Sequence, residues 1–248
     1  MWFKSFDDLK RWLCLNKLNN IGSGSQGQCY KIGDKVYKIF YEFIEEDEDE
    51  IIDEYLKEEI LEFSFIDNDT YVFPNDIIMV DNIVVGYICD YVDAKSLYKI
   101  NPLLIDIDRF LVDIDQVIKD IKIISDFSVL SYDVMYNILY GECGFKVIDT
   151  MEYTRSNINN NDLFRMNKER FFYEIRLFLL EGYFDKFILD DKYLYGLCYD
   201  VDVNFSFFLK EFKKKLSEFV GFEITKLGDA KECIGFSKKK KLKYLWDI

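Results

Sequence analysis

Residues 130–149 read LSYDVMYNILYGECGFKVID, and the prediction of the fold depends most on this stretch. Short apolar pieces that alternate like strands lie on either side of a turn at Gly141. Asp133 and Asn137 interrupt the first piece, and Asp149 directly follows the second. Taken singly, aspartate and asparagine in loops are usually turn formers, because their side chains bond to nearby backbone. Their oxygens are also the hard ligands that Mg²⁺ prefers.

A glycine-rich turn occupies residues 21–27, Ile-Gly-Ser-Gly-Ser-Gln-Gly. The segments at residues 28–32 and 35–40 alternate like strands, and Gly33-Asp34 between them predicts a hairpin turn. A dinucleotide-binding fold needs a helix directly after the loop, and a P-loop needs Gly-Lys-Ser/Thr, so both are disfavoured. The remaining use is a flap whose backbone N–H groups approach phosphates, because glycine lacks a Cβ. An ordinary glycine-rich turn is the alternative.

Lys38 lies in the second strand of this hairpin, and an acidic segment at residues 42–59 follows it. The segment ends in an amphipathic helix predicted over residues 51–63. Most of its carboxylates are expected to form a solvated face, with one left for chemistry. Glu58 or Glu59 could hold the lysine. Glu59 fits better, because apolar residues then follow it at +1, +4 and +7.

Secondary structure changes in kind along the chain. A helix is predicted over residues 5–17. Strands are then predicted at residues 28–32, 35–40, 71–73, 77–80 and 83–92. Beyond these the chain is mainly helical, with predicted helices at residues 105–126, 168–180 and 205–220. This change implies two lobes with a boundary near Asp93, so the predicted domains are residues 1–93 and 94–248.

The composition excludes several classes of function. The chain of 248 residues has no histidine, which excludes Ser-His-Asp and Cys-His mechanisms and histidine metal sites. Its net charge of -14 argues against nucleic acid and anionic membranes as partners, because both attract cationic surfaces. The absence of a signal peptide and of a zinc motif favours a reduced, cytoplasmic protein. The basic block at residues 238–241 is expected to be a solvated end, with a docking patch as the alternative.

In their order along the chain, these features resemble the protein kinase family. The glycine loop, a strand lysine, a helix glutamate, a hinge strand at residues 86–97, a catalytic loop and a metal-binding aspartate follow one another. The resemblance covers residues 21–153 and is greatest to minimal kinase-like proteins of bacteria. It implies an α+β, bilobal fold with an antiparallel-sheet N-lobe and a helical C-lobe. It also implies ATP and Mg²⁺ as cofactors.

The resemblance assigns a role to each candidate residue. Lys38 would bind phosphates while Glu59 holds it. Asp133 would be the catalytic base, and Asn137 and Asp149 would hold Mg²⁺. The loop glycines and the hinge backbone would contact the nucleotide, at Gly22, Gly24, Gly27, Asp90 and Val92.

Several positions depart from the family pattern. The usual His-Arg before the catalytic aspartate is Ser131-Tyr132, which disfavours control by a phosphorylated activation loop. The spacing from Asp133 to Asn137 is one residue shorter than usual, which puts the register of the loop in question. Residues 149–151 read Asp-Thr-Met in place of Asp-Phe-Gly. The segment after them is short and polar, so the peptide-docking platform is reduced or absent.

Two functions from different classes follow from the resemblance. The first is ATP-dependent phosphotransfer to a hydroxyl of a protein or small molecule. The alternative is a pseudokinase, which would act as a nucleotide-binding or structural interaction module. The short catalytic loop favours the alternative, while Lys38, Asn137 and Asp149 favour the enzyme. A purely structural partner protein that uses its surface acids has no motif behind it.

Overall fold

The computed structural model describes residues 1–44, 57–181, 183–200 and 202–235. The described residues fall into two compact units. The first contains the described part of Met1–Asp67, Tyr71–Asp93 and Ile148–Glu152, and the second contains Asn68–Thr70, Ala94–Val147 and the described part of Tyr153–Ile248. Asp149 therefore belongs to the same unit as Lys38, although 111 positions separate them.

The first unit is built on a six-stranded sheet. Its elements are β1 (Trp2–Phe3), α1 (Phe6–Leu15), β2 (Asn20–Ser23), β3 (Gly27–Ile32), β4 (Lys35–Phe40), α2 (Lys57–Ile60), β5 (Asp76–Val80) and β6 (Ile83–Asp90). The strand order is β1-β5-β6-β4-β3-β2, parallel between β1 and β5 and antiparallel elsewhere. A 3₁₀ turn at Thr150–Glu152 also belongs to this unit.

Glycines explain how the central strands come together around Lys38. Gly33 closes the turn between β3 and β4 with a left-handed φ of 63°, which glycine adopts without steric cost. A Cβ at Gly27 would lie 2.2 Å from the Ile39 carbonyl oxygen. A Cβ at Gly86 would lie 2.0 Å from the Lys38 carbonyl oxygen. At both points only glycine permits the neighbouring strands to approach β4 this closely.

Helix α1 closes the apolar core of the first unit. The Ser5 side chain caps its start by accepting a hydrogen bond from the Asp8 N–H. Leu9 is fully buried, and the Trp12 ring meets the Tyr30 ring edge to face at 5.6 Å. Burial of each such large side chain stabilises the fold by roughly 1.5–3 kcal/mol.

The second unit is mainly helical. Its helices are α3 (Ile107–Asp126), α4 (Asn160–Leu180), α5 (Asp185–Asp190), α6 (Lys192–Tyr199) and α7 (Phe205–Val220). Its short strands are β7 (Lys95–Ser96), β8 (Val129–Leu130), β9 (Ile138–Gly141), β10 (Gly144–Val147) and β11 (Thr154–Arg155). They form one sheet in the order β10-β9-β7 and a pair of β11 with β8. Within the described ranges, no helix has both the length and the apolar character needed to cross a membrane.

Side-chain caps set the ends of the long helices in the second unit. Asp106, Asn159 and Asn204 accept hydrogen bonds from backbone N–H groups at the starts of α3, α4 and α7. Each such cap contributes about 1 kcal/mol to stability. Helix α7 ends at Gly221, whose left-handed φ of 80° is typical of a helix terminus.

The prediction of an α+β fold with a sheet and helices is confirmed. Of the strand predicted at residues 71–73, only Tyr71 forms a β-bridge, and residues 72 and 73 are not part of a strand. Helices α5 and α6 have no counterpart among the predicted helices. Of the helix predicted over residues 51–63, the structure describes Lys57–Ile60 as helical and residues 51–56 lie outside the described ranges. The basic block at residues 238–241 also lies outside them.

Candidate functional site

Lys38 places a positive charge inside the first unit. It lies on β4 and is only 3% exposed. Its ammonium forms an ion pair with the Asp149 carboxylate and donates a hydrogen bond of 3.0 Å to Gln26 Oε1. A buried ammonium without partners would be strongly destabilising, so these two contacts are what allow Lys38 to be charged there.

Asp149 receives two donors on one oxygen. Its Oδ1 accepts from the Lys38 ammonium and from the Tyr87 hydroxyl, the latter at 2.9 Å. Burial raises the pKa of Tyr87 well above its ordinary value, so the phenol keeps its proton and remains a donor. Within the described residues, no donor reaches Asp149 Oδ2, and the side chain is 29% exposed. This second oxygen is available to a ligand.

The backbone of Asp149 is in an uncommon conformation. Its φ of 59° lies in the left-handed region, which costs a residue with a Cβ about 1–3 kcal/mol. Asp133 and Tyr136 in the loop before it also have positive φ, 41° and 65°. Such outliers concentrate at functional sites, which supports a functional role for this stretch of chain.

Packing explains the glycine at only one of the three candidate positions in the loop. Gly27 is required by packing, because a Cβ there would collide with neighbouring backbone. A Cβ at Gly22 would meet no atom within 4 Å, and one at Gly24 would meet only Asp149 Oδ2, at 4.0 Å. Packing therefore gives no reason for glycine at these two positions, whereas close approach of a ligand to the backbone would give one.

Gln26, at the tip of the glycine loop, is a site residue that sequence reasoning missed. Its Oε1 accepts from Lys38, and its Nε2 donates to the Glu152 carboxylate. The side chain thus joins the loop to both Lys38 and the segment after Asp149. Tyr87 was missed as well. The available signal for Gln26 was a polar residue between the second and third loop glycines.

The structure shows no described contact between Lys38 and either of the predicted helix glutamates. Glu58 and Glu59 lie on α2 and are exposed. Within the part of the chain that the structure describes, Lys38 pairs with Asp149 and Gln26, and neither glutamate forms an ion pair with it. The pairing of Lys38 with Glu59 stays a prediction.

At the hinge strand, Asp90 is engaged by its neighbours. Its carboxylate pairs with Lys35 and accepts from Asn75 Nδ2 at 3.2 Å. The Tyr91 N–H donates to the Asp34 carbonyl at 2.8 Å, which removes that N–H from use by a ligand. Val92 is half-buried, and its backbone has no hydrogen-bond partner among the described residues. Val92 is therefore the hinge position whose backbone remains available.

In the second unit, helix α4 fixes the start of the loop that carries Asp133. The buried Asn167 Oδ1 accepts from the Ser131 N–H at 3.0 Å and from the Ser131 hydroxyl at 2.9 Å. The Arg170 guanidinium donates to the Ser131 carbonyl and stacks over the Tyr132 ring at 5.0 Å. Sequence reasoning missed Asn167 and Arg170, because both act from a distant helix.

The loop itself closes as a tight turn. Asn137 Nδ2 donates to the Asp133 carbonyl at 2.7 Å, and the Asn137 N–H donates to the Val134 carbonyl at 3.2 Å. The Asp133 side chain is exposed, and in the described chain no donor contacts its carboxylate. The Asn137 side-chain oxygen likewise has no described donor. The loop therefore presents one carboxylate and one amide oxygen without partners.

Each unit offers one oxygen atom of the kind that Mg²⁺ takes from proteins. The described residues contain no group of three or more His, Cys, Asp and Glu side chains that could hold a metal alone. Mg²⁺ usually keeps several waters and is bound by one or two protein oxygens plus substrate phosphates. Asp149 Oδ2 and the Asn137 side-chain oxygen are of the required type.

No family model matches the chain, and no curated protein matches it. Among solved structures, the chain is similar to the kinase domain of PknI from Mycobacterium tuberculosis, with a TM-score of 0.50. The match covers 78% of this chain and 94% of that chain at 12% sequence identity. At this identity the likeness concerns the fold alone. The protein thus has an α+β fold similar to that of a bacterial protein kinase domain.

Proposed function

We propose that this protein is an ATP-dependent phosphotransferase that moves the γ-phosphate of ATP to a hydroxyl group. The observation that carries the proposal is the buried Lys38–Asp149 pair beside the glycine loop. An ammonium in a site of low dielectric constant attracts phosphate more strongly than it would in water. A buried ion pair often adds little to stability over apolar residues, so its presence is better explained by chemistry than by folding.

The sheet face that carries Lys38 also offers a surface for a nucleotide base. Residues directly opposite in a ladder share a face, and the register pairs Lys38 with Cys29 and with Tyr87. Val36 is two positions from Lys38 and pairs with Cys89, so both lie on that face. Cys29, Val36 and Cys89 are each half-buried. These small side chains would pack against the flat base.

The proposed roles follow from these environments. Lys38 would neutralise phosphate oxygens, and Asp149 and Asn137 would supply oxygen ligands to Mg²⁺. When bound, the metal would neutralise phosphate charge. Asp133 would accept the proton of the acceptor hydroxyl. Glu59 would be a further partner of Lys38. We also propose that residues 1–93 and 94–248 are the N-lobe and C-lobe of a bilobal kinase fold.

A pseudokinase is the second candidate, and one observation favours it. The turn from Asp133 to Asn137 is one residue shorter than in kinases, and the Asn137 side-chain amide donates a hydrogen bond to the Asp133 carbonyl. In that case the chain would bind nucleotide without transferring phosphate, and Asp133 would be a turn residue only.

A thermal-shift titration tests nucleotide binding first. We expect ATP to stabilise the protein only with Mg²⁺, and the shift to drop sharply in Asp149→Asn, which removes a full negative charge. Asp81→Asn is the matched control, because Asp81 also has a left-handed φ, 56° against 59° for Asp149. Equal ATP-induced shifts with and without Mg²⁺ would contradict the role of Asp149.

Autophosphorylation measured by intact mass, or slow ATP hydrolysis, then separates the two functions. In an enzyme, Asp133→Asn should keep ATP binding and lower the rate by about 10²–10⁴. Activity that survives this change but vanishes in Lys38→Met would mean that another residue is the base. Firm Mg²⁺-dependent ATP binding without any activity of the unmodified protein would favour the pseudokinase.

A further inference from the structure

A groove of about 630 Å³ opens in the second unit beside Asp133. Its walls are the loop at residues 132–135 and one side of α4. All of its lining residues belong to the second unit. A molecule in this groove would lie against the residue to which the proposed function assigns proton removal.

Glu174 gives the groove a buried negative charge. It lines the groove and is only 3% exposed. Its Oε2 accepts a hydrogen bond from the Tyr98 hydroxyl, while Oε1 has no donor among the described residues. A buried carboxylate is strongly destabilised unless a positive charge or several donors compensate it. Oε1 is therefore open to a donor that a ligand in the groove would supply.

No cation among the described lining residues forms an ion pair with Glu174. Glu169 is paired with the guanidinium of Arg176. Arg170 is the only cation among the described lining residues, and it is engaged by the Ser131 carbonyl and the Tyr132 ring. Among the described lining residues, the carboxylates of Glu174 and Asp133 are the ones that form no ion pair.

The rest of the lining is apolar and partly aromatic. Met135, Met166 and Tyr173 are 42%, 36% and 49% exposed, which is high for side chains of this size. Methionine adapts to ligands of irregular shape, and a tyrosine ring attracts cations. The groove thus combines a buried anion with an adaptable apolar wall.

We propose that this groove binds the phosphate acceptor and that the acceptor carries a positive charge, which pairs with Glu174. The inference rests on the proposed phosphotransfer and names its substrate class: a hydroxyl compound with an ammonium or guanidinium group and an apolar portion. In the reaction, the acceptor oxygen bonds to the γ-phosphorus as the bond to the β-phosphate oxygen breaks. ADP leaves with that electron pair, and the hydroxyl proton passes to Asp133.

Binding of matched probes tests the charge preference without any need for turnover. One pair is 2-amino-1-phenylethanol and its uncharged analogue 1-phenylethane-1,2-diol. The other pair is two nine-residue serine peptides that differ only in three lysines against three glutamates. We expect the cationic member of one pair to bind at least about tenfold more tightly than its counterpart, as measured by calorimetry with a non-hydrolysable ATP analogue and Mg²⁺. The pair that shows the preference identifies a small amine or a basic peptide segment as the acceptor.

Three variants assign the preference to Glu174. Glu174→Gln should reduce the preference to less than about twofold. Glu218→Gln is the charge-matched control, because Glu218 is exposed on α7, and it should leave the preference unchanged. Tyr98→Phe removes the donor but keeps the carboxylate, so it should retain the preference. Loss in Tyr98→Phe with retention in Glu174→Gln would mean that Glu174 only anchors Tyr98, which would overturn the inference.

Failure of the inference can be told apart from failure of the proposed function. If both probe pairs bind without preference, or neither pair binds, the inference is overturned. The Mg²⁺-dependent shift with ATP, measured on the same protein, would still stand and support nucleotide binding. This comparison on the unmodified chain needs no variant to fold.

Discussion

A double-mutant cycle on Lys38 and Asp149 tests the centre of the candidate site most directly. The two side chains are 4% and 29% exposed, so the pair is largely shielded from water. Hydrogen bonds to charged groups in such settings contribute about 1.5–3 kcal/mol, against 0–1 kcal/mol for exposed pairs. We therefore expect a coupling free energy of about 2 kcal/mol between Lys38→Met and Asp149→Asn.

The cycle is measured by urea unfolding of the four proteins without nucleotide. Each single variant leaves one member of the pair without its partner. Each should therefore lose more stability than the matching single variant of an exposed control pair. Lys122→Met and Asp126→Asn form that control, because both side chains are 48% exposed and pair on the surface of α3. The control should show coupling below about 0.5 kcal/mol. An equally small coupling for Lys38 and Asp149 would refute the buried pair and with it the basis of the proposed site.

Three further predictions concern the loop and the stability of the fold. Gln26→Ala should tighten ATP binding by about fivefold in calorimetry. The reason is that phosphate oxygens bound to Lys38 would replace its hydrogen bond to Gln26, which is worth about 1 kcal/mol and is absent in the variant. In urea unfolding, Gly27→Ala should cost about 1–3 kcal/mol through backbone overlap, whereas Gly22→Ala should change stability by less than about 0.5 kcal/mol and weaken ATP binding. Hydrogen bonds from backbone N–H groups at the start of α6 lower the pKa of Asp191 in the folded protein. The stability that the ionised side chain contributes is therefore present above the unfolded pKa near 4 and is lost as pH falls through the folded pKa. Asp191→Ala should accordingly reduce the fall in unfolding free energy between about pH 5 and 3.

The sequence predicted those parts of the site that depend on local chain geometry. The hairpin that carries Lys38 is encoded by strand alternation and by Gly33, whose φ is 63°. The loop from Asp133 to Asn137 was visible as polar residues between apolar pieces. Its closure by the Asn137 amide follows from a spacing of four residues, which a side chain can span.

The contacts that the sequence did not predict join residues far apart in the chain. Asn167 reaches Ser131 across 36 positions, and Gln26 reaches Glu152 across 126. No periodicity carries such information, because the pairing depends on how helices and loops pack. Helix α6 was also missed, but a local signal for its start was present in the sequence. Asp191 caps the helix by accepting hydrogen bonds from two backbone N–H groups.

The candidate residues Lys38, in the first unit, and Asp133, in the second, have opposite environments, and this bears on the choice between enzyme and pseudokinase. Lys38 is buried and compensated by partners within its own unit, so evolution toward a purely structural module could replace it with an apolar residue at little cost. Asp133 is exposed, holds a φ of 41°, and contributes no described side-chain contact to the fold. The turn that the Asn137 amide closes on the Asp133 carbonyl accounts for this backbone conformation, whereas no described contact requires a carboxylate on the side chain. A buried charge that the fold could replace and a carboxylate without a described contact are the two features that the proposed phosphotransfer would use.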